Sequence, residues 1–179
     1  IFEEQNKDAV IFPEKVKERI KDLAATQLPD GSAYHQYSPL SKQANPSDHK
    51  YGDDHLWLIV SITSYIKETG DLGFLKVKVP FADGGSATMY EHLLRAVGYS
   101  FKTCGKHGIP LLGYADWNDC LNNLGKEAES VWVAQFLCYA TKELAILAKI
   151  IRKEKDALKL NKLYQKMSKV INRRSWDGS

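Results

Sequence analysis

The chain has 179 residues with a formal net charge of +3, too small an excess for the electrostatic footprint of a nucleic-acid binder. Hydrophobic residues make up 44% and charged residues 26%, which excludes a disordered chain, and no apolar run is expected to reach the length that crosses a bilayer. Cys104, Cys120 and Cys138 are odd in number and lack a CxxC pair, so no disulfide framework or structural zinc is expected and a reducing, cytoplasmic compartment fits. Ile1 stands where a start Met would be, from which a segment of a longer protein is expected.

Pro13 suits the first turn of a helix whose inward positions are Val16, Ile20, Leu23, Ala24 and Gln27, and Pro29-Asp30-Gly31 closes it. The loop "GSAYHQYSPLSK" follows, residues 31 to 42, and gathers Tyr34, His35, Gln36 and Tyr37. Aromatic faces beside amide and imidazole donors suit a ligand with an apolar face and a hydroxylated rim, such as a sugar. The same tyrosines could instead pack the loop onto helix ends. "KYGDDHLWL", residues 50 to 58, offers Asp53, Asp54 and His55 as a metal cluster. Consecutive residues diverge at a helix start and no HExxH accompanies them, so they read as caps and no metal is assigned.

The second helix runs from about Asp54 to Glu68, apolar nearly all round as a buried helix would be, and ends at Gly70. Tyr90, Leu93, Leu94, Val97 and Phe101 set a third, which carries His92 and ends near Gly105. A fourth follows Val133, Phe136, Leu137, Ala140, Leu144, Leu147, Ala148 and Ile151, and a fifth Ala157, Leu160, Tyr164, Met167 and Ile171. Basic residues concentrate between Lys149 and Arg174 and read as a solvated helix face. No alternating strand pair is evident, so the class is all-α. The connections 30 to 52, 71 to 87 and 105 to 127 are too long to be mere links, and chemistry is expected there.

"LLGYADWNDCLNNLG", residues 111 to 125, is the densest of them. Asp and Asn are poor in helix interiors and Trp is costly to expose, so "DWND" suggests a hydrogen-bonding site beside an aromatic wall. A carboxyl beside an indole is also how desolvation makes a general acid near neutral pH. Residue types alone leave open an elaborate turn, with Asp116 capping backbone and Trp117 filling the core.

Taken together, "DGSAYHQYSPL", "DDHLWLIVSITSYIKETGD", "HGIPLLGYADWNDCLN" and "SWDG" resemble the central catalytic region of the cellobiose phosphorylase family, glycoside hydrolase family 94, from about Asp8 to Gly178. The wording "ADWNDCLN" looks more like cellobiose-type than chitobiose-type members. The resemblance implies one partial (α/α)6-barrel catalytic domain over residues 1–179, incomplete in this chain. It implies inverting phosphorolysis of a β-linked gluco-disaccharide to α-glucose 1-phosphate and glucose. The partners are then the disaccharide and inorganic phosphate as co-substrate, with no other cofactor, no nucleic acid, no membrane, and a homodimeric parent.

By motif, Asp119 takes the general-acid role and Trp117 lines the donor subsite. Asp116 and Asn118 support it, and Asp8 matches a donor-binding Asp of the family's "SNQD" stretch. Tyr34, His35 and Gln36 join them as sugar-binding residues. The chain departs from the pattern in "FEEQNKD", which lacks the Arg of the family's "RDSNQD", and in its length, since family members are several times longer. The isolated chain is therefore expected to be inactive or nearly so. An inverting hydrolase on the same barrel and a non-catalytic sugar-binding remnant are the alternatives.

Overall fold

A computed structural model describes residues 11–178, and Asp8 lies outside them. Five α-helices lie among the described residues: α1 (Pro13–Ala24), α2 (Asp54–Thr69), α3 (Met89–Lys102), α4 (Val131–Ile150) and α5 (Glu154–Arg174). Each falls where the apolar periodicity places it, and the all-α class holds. Two strand pairs were not expected. β1 (Gln36–Ser38) pairs antiparallel with β2 (Gln43–Asn45), and β3 (Lys78–Pro80) with β4 (Ser86–Thr88). Each strand is three residues long, too short for an alternating pattern to register.

The helix ends follow local chemistry. Pro13 opens α1, and Gly70 ends α2 in the left-handed region with its N–H on the Ile66 carbonyl. Thr88 and Glu91 form a reciprocal capping box on α3, and the Ser130 hydroxyl accepts from the Val133 N–H at the start of α4. Asp71 caps a short 3-10 helix (Leu72–Lys76) and accepts from Lys17 Nζ at 2.7 Å, tying α1 to the far end of α2.

α2 sits at the centre, with α1, α3 and α4 packed around it, and α5 folds back along α4. Ile20, Leu56, Ile59, Ile62, Phe74, Leu93, Leu137, Leu144 and Met167 are almost completely buried in one continuous core. Each such side chain contributes about 1.5–3 kcal/mol. The expectation that no apolar run reaches membrane-crossing length fails for α4, a 20-residue helix that is long and apolar enough. Half of its most apolar stretch is buried inside the fold, so that apolarity serves the core.

The connections 30 to 52 and 105 to 127 lead into the amino ends of α2 and α4. Residues 111 to 115 are held on both sides. Tyr114 N–H donates to the Lys50 carbonyl at 2.8 Å and Gly52 N–H to the Ala115 carbonyl at 2.9 Å on one flank, while Leu112 N–H donates to the Ala128 carbonyl at 2.8 Å on the other. The approach to residues 50 to 52 requires glycine. A Cβ on Gly113, whose φ is +72°, would stand 2.3 Å from the Lys50 carbonyl oxygen, and one on Gly52 would stand 2.7 Å from that of Leu112.

Candidate active site

Backbone pairing joins residues 50 to 52 to residues 113 to 115, and side-chain contacts of His35 bring the first loop to them. Tyr51 and Tyr114, on the paired stretches, lie 5.7 Å apart between ring centroids. His35 stacks on Tyr51 at 3.7 Å and His49 on Tyr114 at 4.1 Å, which makes a row of four rings across the loops. Behind His35, both Asp54 oxygens lie 3.1 and 3.2 Å from Nδ1. That hydrogen bond holds the His35 pKa above its usual value, with smaller contributions from the charges of Asp54, Asp119 and Asp53. Asp119 therefore stands within electrostatic reach of His35, although the two are 84 positions apart in sequence (119 − 35).

Within "DWND" the two alternatives divide by residue. Asp116 is buried, accepting from the Asn118 N–H at 3.0 Å and from the Ser130 hydroxyl at 2.5 Å. Since Ser130 also caps α4, Asp116 fastens the loop to that helix: its carboxylate builds the turn. Trp117 does not fill the core, for it is 66% exposed and leans on Trp57 with ring centroids 5.4 Å apart. Asn118 and Asp119 are exposed. The Asn122 amide donates to the Asp119 carbonyl at 2.8 Å, shaping the loop while leaving the carboxylate on the open side.

The desolvated carboxyl beside an indole is found elsewhere. Asp53 is 3% exposed and accepts from Trp57 Nε1 at 2.8 Å. Burial pushes its pKa up to about 6 against the lowering effect of that hydrogen bond, with further upward pressure from Asp54 and Asp116. The reading of Asp53 and Asp54 as side-chain caps is thus corrected, because no side-chain cap bond is made at the start of α2. Asp53 turns to Trp57 one helical turn on, and Asp54 turns to His35. The signal available in sequence was the i, i+4 spacing of Asp53 and Trp57 on one helix face. Trp57 in turn contacts Phe136 at 4.5 Å and Trp132 at 6.4 Å, so Asp53 is coupled to the aromatic wall under Trp117.

His55 points the other way along α2. It is 2% exposed, pairs with the Ser100 hydroxyl at 2.6 Å through Nε2, and burial lowers its pKa to about 3, so it is neutral. His92 is buried between Gln27 Oε1 and the Val79 carbonyl, and His107 pairs with Glu129. Those partners are far in sequence and were not foreseen. No group of three or more metal-ligating side chains occurs among the described residues.

Tyr34, His35 and Gln36 line a cleft of about 780 Å³ between α1, the β1–β2 ribbon and the amino end of α2. Asp54 and Trp57 form its inner border, whereas Trp117 and Asp119 do not line it. Tyr34 to Gln36 of the first loop and Asp119 of the last therefore lie near one another around His35 and Asp54 and do not share one pocket.

The described residues form an all-α body whose loops present a carboxylate, indoles, tyrosines and amides. The chain belongs to the glycosyl hydrolase 94 superfamily, whose catalytic domain it matches over residues 2–179, and its helices are part of that family's (α/α)6 barrel. It is 36% identical, over 99% of its length, to the solabiose phosphorylase of Paenibacillus borealis. It is 32% identical over 92% of its length to the N,N'-diacetylchitobiose phosphorylase of Vibrio proteolyticus, and 31% identical over 87% to the cellobionic acid phosphorylase of Neurospora crassa. The matched regions are 23%, 23% and 20% of those proteins, so the chain spans less than a quarter of the length of these relatives.

Proposed function

We propose that this chain is the acid-bearing segment of a disaccharide phosphorylase acting on a β-linked gluco-disaccharide of the cellobiose type. Asp119 is the general acid. Its protonated carboxyl delivers a proton to the glycosidic oxygen as the bond to the anomeric carbon breaks, and a phosphate oxygen forms the new bond from the opposite face. The products are α-glucose 1-phosphate and glucose. Phosphate arrives already nucleophilic, so the second carboxylate that an inverting hydrolase needs to activate water is dispensable. Trp117 forms the wall of the donor subsite, Asn118 supports the loop, and Asp116 holds the loop in place. The reaction needs phosphate as co-substrate and no other cofactor, and the working protein is a cytoplasmic homodimer.

The observation that carries this reading is the geometry of "ADWNDCLN": Asp116 is locked into the turn, which leaves Asp119 as the carboxylate on the open side beside an exposed indole. A general acid works when water is held away from it, and here it stands in solvent. The isolated chain is accordingly inactive or nearly so.

The test replaces the matching segment of the P. borealis solabiose phosphorylase by residues 1–179 and follows phosphate-dependent release of α-glucose 1-phosphate from gluco-disaccharides. Asp119→Asn lowers that rate by roughly 10²–10⁴, because the amide keeps the shape and loses the proton. An Asp119→Asn chimera that keeps most of its rate sinks the assignment. Glucose release that is indifferent to phosphate sinks the phosphorylase reading and favours a hydrolase.

A further inference from the structure

We propose that Asp53 is a positioning residue of the phosphorolytic site: it fixes the indole of Trp57 as the bed of Trp117, and through Trp117 it shapes the donor subsite beside Asp119. The proposal rests on the phosphorylase reading and adds to it a carboxyl that is 3% exposed and acts through other side chains. The contacts form one chain. Trp57 Nε1 donates to Asp53 Oδ2 at 2.8 Å, and among the described residues no other side chain donates to that carboxyl. Trp57 then meets Trp117 with ring centroids 5.4 Å apart, the one ring contact that Trp117 makes among the described residues. Trp117 is 66% exposed, so its ring rests on the indole beneath it and on little else.

Packing alone does not fix Trp57. Phe136 at 4.5 Å and Trp132 at 6.4 Å hold the ring against α4, but apolar contact is non-directional and does not select which edge of an indole turns inward. Trp carries a single N–H donor, and a bond from it to a buried acceptor makes that selection. Asp53 stands at the start of α2, four residues before Trp57, which puts the acceptor one helical turn from the indole on the same face.

Stability does not account for a carboxyl at this position. A residue just before a helix ordinarily accepts from the free backbone N–H groups of the first turn, and Asp53 makes no such side-chain bond. Burial pushes its pKa up to about 6, so its ionised form is held at a cost near neutral pH, and the charges of Asp54 and Asp116 add to that cost. A side chain that gives up a cap and bears a desolvated charge is explained by its one donor, the Trp57 N–H. Departures of this kind from the local rule gather at working sites.

The test has two arms. In the whole chain, isotopically labelled and observed by NMR, Asp53→Leu removes the acceptor, and the indole N–H resonances of both Trp57 and Trp117 are expected to move. Asp53→Asn keeps an oxygen for the bond and is expected to return the Trp117 resonance towards its parent position; Asp53→Ala replaces the leucine variant should that one not fold. A Trp117 resonance that stays in place without the acceptor overturns the proposal. In the chimera with the solabiose phosphorylase, Asp53→Leu is expected to raise the KM for the disaccharide about tenfold, the order of one aromatic contact, and to leave the KM for phosphate unchanged, with Asp53→Asn recovering most of the loss. Loss of folded enzyme lowers kcat alone and does not imitate that split. Trp57→Phe is expected to raise the disaccharide KM by a similar factor, and adding Asp53→Leu to it should cost nothing more. Equal changes in both KM values, or in neither, overturn the proposal. An unsubstituted chimera without activity counts against the phosphorylase reading instead, and the spectra of the whole chain still decide whether Asp53 positions Trp117.

Discussion

The helical body and the loop layer above it are held together by different means. In the body, side chains such as Ile59, Leu93, Leu137 and Leu144 are fully buried, and each apolar contact is backed by several others. In the layer, the exposed "DWND" loop hangs on a few backbone hydrogen bonds, one buried Asp116–Ser130 contact and a row of stacked rings. Lys42 and Asn123 even take left-handed backbone geometry there. The body therefore supplies stability in many small, redundant parts, and the layer supplies chemistry through a handful of contacts that have no substitute. Changes in the layer should alter the site out of proportion to their effect on the fold.

The largest effect expected is from Gly113→Ala. The new Cβ would lie 2.3 Å from the Lys50 carbonyl oxygen at a φ of +72°, so the pairing of residues 50 to 52 with 111 to 115 must open. The cost is about 2–4 kcal/mol, combining the clash with strained backbone. Urea unfolding followed by helical circular dichroism should show the drop, while the folded baseline keeps its helical signal because the body does not depend on that pairing. A folded baseline that loses helicity would mean that layer and body are one unit, and the contrast drawn above would fail.

How much of this was legible in sequence follows the same divide. The helices were legible because burial imposes a period on residues such as Val133, Leu137, Ala140 and Leu144, and a period can be read from one chain. The ring row was not legible, because it depends on which loops meet: backbone pairing of residues 50 to 52 with 113 to 115 brings His49 to Tyr114, and ring stacking brings His35 to Tyr51. "DWND" could be singled out by composition, but its division of labour could not. Nothing in the order of the letters says that Asp116 turns inward to Ser130 while Trp117 stays in solvent. Asp53 misled for a related reason. An Asp before a helix is ordinarily a cap, and here the stronger partner is an indole on the next turn.

Asp53 also marks the junction of the two regions, and it gives the next prediction. Its folded pKa, pushed up to about 6 by burial, lies above the value of an unfolded Asp, so between those values the folded chain holds a proton that the unfolded chain has lost. The stabilisation associated with that proton is present at low pH and is lost as pH rises through about 6. The rise to about 6 corresponds to about 3 kcal/mol as an upper figure. Asp53→Asn removes the ionisation and keeps an oxygen for Trp57 Nε1. The variant should match the parent chain near pH 4 and exceed its stability by about 2 kcal/mol near pH 7, read from urea midpoints. Parallel curves at the two pH values would show that the Asp53 carboxylate is solvated after all.

The smallest effect expected is the most direct probe of how the loops meet. The His35 pKa is raised chiefly by its hydrogen bond to Asp54, and to a lesser degree by the charges of Asp54, Asp119 and Asp53, against burial, which lowers it. A folded pKa above the unfolded one means that the pair stabilises the fold when His35 is protonated, and that this contribution is lost as pH rises through the folded value. The pair is partly exposed, so the stability change is slight and the titration itself is the better observable. Following the His35 ring by NMR, Asp54→Asn should lower its midpoint clearly, and Asp119→Asn should lower it less but in the same direction. The order of the two shifts carries the argument: Asp54 touches the ring, whereas Asp119 acts on it only through its charge. If Asp119→Asn leaves the His35 midpoint where it was, the acid loop does not stand over the first loop. The two loops would then be independent surfaces.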